Sequence, residues 1–219
     1  MSEIAYALAG KFIVFDGPDG SGKSTQMRRF MTWAREQGVI VKEVREPGGT
    51  PIGEQIRQVL LDTENECMTI QCEMLLYMAS RAQLVEQEIV PALERGELVV
   101  ADRFVSATLA YQGAAGGLPT EWIQKVAEVA VSGHWPDLTL ILDVDDATAA
   151  SRMNPLLDRM ELKGKGFHSK VRMGFLDQVE RMPDRYCVID STEREDAVEL
   201  AVQSAICTWF CKEKPLNNM

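Results

Sequence analysis

Residues Gly17-Pro18-Asp19-Gly20-Ser21-Gly22-Lys23-Ser24, followed by Thr25, fit the pattern G-x-x-x-x-G-K-[ST]. Such a loop cradles nucleotide phosphates. Its backbone N–H groups point inward at an anion, and the start of the following helix adds partial positive charge. In this reading Lys23 reaches the outer phosphates and the Ser24 hydroxyl takes a Mg²⁺ position. A second group is Ala101-Asp102-Arg103-Phe104. Asp102 can hold Mg²⁺ or its waters, and Arg103 is a fixed fork suited to phosphate. By itself an Asp-Arg pair reads as an ion pair at a strand end; beside a phosphate loop it reads as part of the chemistry. A third group is Arg45-Glu46-Pro47-Gly48-Gly49-Thr50-Pro51, with Arg57 on the helix after it. Its turn chemistry and cations suit a second, acceptor phosphate. Together the three groups describe phosphoryl transfer with Mg²⁺.

These residues need elements that bring them together. Apolar runs at Phe12–Phe15, Val39–Val44, Glu97–Ala101, Leu138–Val144 and Tyr186–Ile189 predict five strands. Helical patterns follow at Gln26–Gln37, Ile52–Leu61, Ile70–Arg95, Thr120–Ser132, Ala147–Met153, Val171–Arg181 and Glu193–Phe210. Strands alternating with helices predict an α/β fold of the P-loop NTPase type, a five-stranded parallel sheet with helices on both faces. Each motif starts where a strand ends, the place where parallel sheets bind ligands. One domain over 1–211 is expected, followed by a polar tail at 212–219. The polar stretch 154–170, with two glycines and several cations, breaks the rhythm and is read as a mobile lid over the phosphates.

The 219 residues carry a formal net charge of −10. No basic excess is available to neutralise a nucleic-acid polymer, so none is expected as a partner, whereas local arginines still permit a small anion. Five scattered cysteines without a CxxC pair argue against a disulfide framework or a zinc site. No stretch reads as a signal peptide or a membrane span, and a cytoplasmic location is expected.

In order along the chain, Gly17–Thr25, Arg45–Glu54, Tyr77–Arg81, Asp102–Gln112 and Asp158–Glu161 resemble bacterial thymidylate kinases. The likeness runs from Lys11 to about Ile206. The phosphate loop is shared by many NTPases; Arg-Glu-Pro-Gly-Gly-Thr, Asp-Arg-Phe and Ala-Tyr-Gln-Gly are the specific part. The resemblance implies transfer of the γ-phosphoryl of ATP to dTMP, giving dTDP, with Mg²⁺, in a homodimer. It implies that Asp19 contacts the sugar 3′-hydroxyl and the metal environment. Tyr77 would stack on thymine and Arg81 contact the base. Arg103, with Arg45, Pro47 and Arg57 nearby, would hold the acceptor. Thr108 and Gln112 would lie near the base, and Tyr111 would close the sugar 2′ position. Gly20 stands where some relatives carry an arginine, so the lid must supply the transition-state cation. Arg152 and Arg159 rank ahead of Lys163 and Lys165 for that role. The residues themselves leave two alternatives: a P-loop kinase for another deoxynucleotide or nucleoside, and an NTP-binding regulatory switch.

Overall fold

The computed structural model describes residues 2–152 and 164–211. Five strands, β1 (Phe12–Asp16), β2 (Val41–Arg45), β3 (Leu98–Asp102), β4 (Leu138–Asp143) and β5 (Tyr186–Asp190), form one sheet in the order β2-β3-β1-β4-β5. Every pairing is parallel. The helices are α1 (Glu3–Leu8), α2 (Lys23–Glu36), α3 (Pro51–Leu61), α4 (Ile70–Leu84), α5 (Val90–Glu94), α6 (Val105–Thr108), α7 (Thr120–Val131), α8 (Asp146–Arg152), α9 (Lys165–Arg181) and α10 (Glu195–Phe210).

The period-two alternation of the strands sorts the core into layers. Ile13 and Phe15 of β1, Leu98 and Val100 of β3, and Leu138, Leu140 and Leu142 of β4 face Leu8, Phe30, Met31 and Ile206. Phe12, Val14, Val99 and Ala101 point the other way, onto Met74, Met78, Ile123 and Ala127. Both faces of the central strands are therefore dry, which explains why these strands read as unbroken apolar runs. On the second face, Ile141 joins a smaller cluster with Ala110, Tyr111, Val171 and Phe175.

The differences from expectation are local. β2 begins at Val41, because Val39 is held in the turn that closes α2: its N–H donates to the Ala34 carbonyl at 3.0 Å. The single helix expected over 70–95 is α4 and α5 joined by a π-helical turn, Val85–Ile89. A second π-helical segment, Leu109–Ala115, continues α6. The helix expected from Val171 starts at Lys165, so 165–170, read as lid, is helical. An apolar anchor explains the early start: Phe167 packs on the Tyr111 ring at 6.2 Å. The rest of that stretch, 154–163, lies outside the described residues, as does the tail at 212–219.

Phe175 of α9 is fully buried, with its ring edge-on to Tyr111 at 6.2 Å. Phe175→Ala is expected to lower stability by about 3–5 kcal/mol, measured by urea unfolding. A loss below about 1 kcal/mol would mean that α9 does not anchor the Tyr111 segment.

Candidate active site

The C-terminal ends of β2, β3 and β1 lie side by side. Arg45 is in register with Asp102, and Asp102 with Phe15. Parallel pairing thus delivers all three motifs to one edge of the sheet.

β1 runs through Asp16 into the glycine-rich loop. Gly17, Gly20 and Gly22 have φ of 143°, 79° and 77°, backbone that glycine adopts without strain. Gly22 is the N-cap of α2, so the first amides of that helix open toward the loop. A Cβ on Gly20 would stand 2.5 Å from the Ala149 carbonyl oxygen and 2.9 Å from its Cα, because α8 packs directly on the loop.

The Lys23 ammonium pairs with the Asp102 carboxylate. The Ser24 hydroxyl donates to the other Asp102 oxygen at 3.5 Å. Burial lowers the Lys23 pKa, and Arg103 adds to that effect; Asp102 opposes it. Burial would raise Asp102, but Lys23, Arg103 and the hydrogen bonds outweigh it and hold this carboxyl below its ordinary range. Ser24 and Asp102 therefore offer an ionised carboxylate and a hydroxyl side by side, hard oxygen donors of the kind Mg²⁺ takes beside phosphates. Asp19, the third candidate ligand, has both oxygens engaged. Oδ1 accepts from Arg103 at 2.5 Å and Oδ2 from the Tyr111 hydroxyl at 2.7 Å.

Arg103 sits at the junction. Its φ is 67°, left-handed for a residue with a side chain, and its N–H donates to the Phe15 carbonyl at 3.0 Å. Its guanidinium also donates to Asp16 and to the Gly17 carbonyl, each at 3.0 Å, and lies 5.1 Å from the Tyr111 ring centroid. Asp16 is fully buried, and burial raises its pKa against the pull of Arg103 and the Ser106 hydroxyl, which donates at 2.6 Å.

A cavity of about 320 Å³ opens beside this cluster. Asp19, Arg45, Pro47, Arg57, Tyr77, Arg81, Arg103, Thr108, Tyr111 and Gln112 all line it, together with Lys23, Ser24 and Asp102. The sequence-derived acceptor set is thus one continuous wall. Tyr77 and Arg81 lie one turn apart on α4. Arg81 is 1 % exposed; its Nε donates to the Glu46 carboxylate at 2.9 and 3.1 Å, and its terminal nitrogens to Thr108 at 3.3 Å. Burial pushes the Glu46 carboxyl up to about 7, even against Arg81. Arg45 donates to Glu54 at 2.8 Å, and Arg57 to the Pro47 carbonyl at 2.9 Å.

A second cavity, about 380 Å³, lies against Gly20, Ser21, Gly22 and Thr25 of the same loop. Arg152 lines it, donating to the Ser191 carbonyl at 2.8 Å. Arg159 and Lys163 lie outside the described residues. Sequence reasoning passed over four buried groups that organise the wall: Asp16, Glu46, Glu73 and Ser106. Asp16 carried a usable signal, a carboxylate closing an apolar strand directly before the first loop glycine. The other three owe their place to tertiary packing.

The family model for thymidylate kinase matches residues 15–202. A thymidylate kinase of Caldanaerobacter subterraneus subsp. tengcongensis is 42% identical over 91% of this chain and 96% of its own length. One of Deinococcus radiodurans is 44% identical over 90% and 96%. The crystal structure of thymidylate kinase from Ehrlichia chaffeensis superposes with a TM-score of 0.73 at 29% identity, covering 90% of this chain and 98% of that one. With the sheet order, the phosphate loop and the adjoining acceptor cavity, these matches establish that the chain belongs to the thymidylate kinase family, the enzymes that phosphorylate dTMP at the expense of ATP.

Proposed function

We propose that the 320 Å³ cavity holds dTMP, and that its phosphate receives the γ-phosphoryl group of ATP bound on the glycine-rich loop. The observation that carries this reading is the shared wall: the cavity's lining includes Lys23, Ser24 and Asp102 as well as every candidate acceptor residue. An acceptor phosphate oxygen is already anionic, so the reaction needs no strong general base. Catalysis then rests on alignment and charge stabilisation.

Arg103, Arg45 and Arg57 bind the acceptor phosphate in this reading: Arg45 and Arg57 trade a protein partner for it, while Arg103 stays anchored on Asp16. Lys23 leaves Asp102 for the transferring phosphoryl group. Arg152, at the end of α8, lines the loop's outer cavity, its guanidinium 4.0 Å from where a Cβ on Gly22 would stand, and serves as the transition-state cation, with Arg159 as its partner for that role. Ser24 and Asp102 would hold Mg²⁺, which would supply further charge neutralisation at the phosphates. Asp19 and Tyr111 meet the deoxyribose, with the Tyr111 ring filling the space a 2′-hydroxyl would need. Tyr77 stacks on the base while Arg81, Thr108 and Gln112 hold its edge.

A homodimer is supported by exposed apolar side chains on three neighbouring helices. α4 packs against both α3 and α7. Ile52 and Val59 on α3, Leu75 on α4, and Trp122 and Val129 on α7 are all at least 45% exposed. Large apolar side chains left in water on adjacent helices are the kind a partner surface covers. A cytoplasmic location fits five free thiols, and no helix among the described residues is long and apolar enough to cross a membrane.

Three outcomes are expected. In an ADP-release assay with dTMP, dUMP, dCMP, dAMP and thymidine as acceptors, dTMP gives the highest kcat/KM, and Lys23→Ala lowers turnover by about 10²–10³-fold or more; a better acceptor than dTMP, or ADP release independent of any acceptor, sinks the reading. Glu46→Gln keeps an oxygen to accept from Arg81 but cannot ionise, so it removes this group's titration and changes the pH slope of stability. Between the ordinary Glu value of 4.5 and about 7, the folded wild type keeps a proton that the unfolded chain loses, so this group makes the fold less stable as pH rises through that window. The melting temperature of Glu46→Gln should show a shallower decline over that range, and an unchanged slope rules the assignment out. Val129→Glu should shift sedimentation from dimer to monomer; a wild type that sediments as a monomer defeats the dimer reading.

A further inference from the structure

Glu73 is a buried carboxylate with no part in the phosphoryl chemistry. It lies on the first turn of α4, 1 % exposed, and its Oε1 accepts a hydrogen bond of 2.7 Å from Nε2 of Gln112. Gln112 is 2 % exposed, belongs to the π-helical segment Leu109–Ala115, and lines the acceptor cavity with Arg81 and Thr108.

A side-chain amide has a donor end and an acceptor end, and its partners decide which way it faces. A carboxylate can only accept, so Glu73 fixes the amide nitrogen on its own side. The reversed amide would set oxygen against oxygen in a site sheltered from water. The carbonyl end of Gln112 is then the one available to the cavity. Arg81 can only donate, so it suits an acceptor such as the O4 of thymine. The thymine imide N3–H needs the opposite, an acceptor on the protein. Cytosine reverses both requirements: its N4 donates and its N3 accepts.

We propose that Glu73 is a positioning residue for base selection. It holds the Gln112 amide with the carbonyl turned to accept from the N3–H of thymine, which admits a thymine or uracil edge and rejects cytosine. The inference rests on the assignment of this cavity to dTMP.

The test is steady-state kinetics of the full chain with dTMP and dCMP, on wild type, Glu73→Gln, Glu73→Asp and Gln112→Ala, with melting curves to confirm folding. A glutamine at 73 can donate as well as accept, so it tolerates both orientations of Gln112. Glu73→Gln is expected to raise KM for dTMP about tenfold with kcat nearly unchanged, and to cut the dTMP:dCMP ratio of kcat/KM by about tenfold or more. Glu73→Asp keeps an acceptor-only group and should hold that ratio within about threefold of wild type, whatever its KM. An unchanged ratio in Glu73→Gln overturns the proposal, and so does an equal loss of ratio in Glu73→Asp, which would mark a packing effect. Gln112→Ala separates the two layers of the argument. If it leaves KM for dTMP unchanged, the cavity assignment itself fails. If it raises KM while Glu73→Gln keeps wild-type discrimination, the cavity assignment stands and only the role of Glu73 falls.

Discussion

The site depends on how one guanidinium is held. Arg103 takes a left-handed backbone conformation at the end of β3, and its side chain joins Asp16, the Gly17 carbonyl, Asp19 and the Tyr111 hydroxyl. These partners come from the end of β1, the glycine-rich loop and the π-helical segment. A residue with φ of 67° is costly unless its surroundings over-determine it. Here they do, since moving Arg103 would leave the fully buried Asp16 with less compensation for its charge. One guanidinium thus ties the donor loop to the acceptor wall, fixing their relative placement as an in-line transfer requires.

The same site shows how an acidic protein gathers cations. With a net charge of −10, it still lines one cavity with Lys23, Arg45, Arg57, Arg81 and Arg103. Carboxylates hold most of these side chains in place, and burial sorts the pairs by how readily they can part. Arg45 and Glu54 are both more than 40% exposed, so the pair is weak and easily exchanged for a phosphate. Arg81 and Glu46 are almost wholly buried, and breaking that pair would strand a charge. The first arrangement suits a group that must bind an anion. The second suits a group that must keep its shape against a neutral base.

The sheet was legible because its central strands are apolar on both faces and bounded by glycine, proline or charge, while β2 carries an alternation of valine with charge. The strand ends and their motifs followed from the same pattern. What sequence patterning lost depended on distant partners. Lys165–Lys170 is polar enough to read as loop, and only the packing of Phe167 on Tyr111 makes it helix. The continuation of α6 as a π-helical segment leaves no periodic signal in Leu-Ala-Tyr-Gln-Gly-Ala-Ala, yet it is what puts Tyr111 and Gln112 on the cavity wall. Glu46 sat inside a motif read for its turn, and its pairing with Arg81 spans 35 positions. Glu73 looked like any acidic residue in a helical first turn, until Gln112, 39 positions on, was placed against it. Local pattern finds the residues that end strands, and it misses the second layer that holds them.

The contact between Gly20 and Ala149 bears on how this loop can change over time. Nothing larger than hydrogen fits at position 20 while α8 rests where it does. The turn already favours glycine there, with φ of 79°, and a helix more than 120 positions away closes off the space that remains. Position 20 and the seating of α8 are consequently a single inherited choice. A lineage could move its cation into the loop only by first lifting α8, and would disturb Arg152 in doing so. Position 20 and the segment carrying α8 would have to drift together.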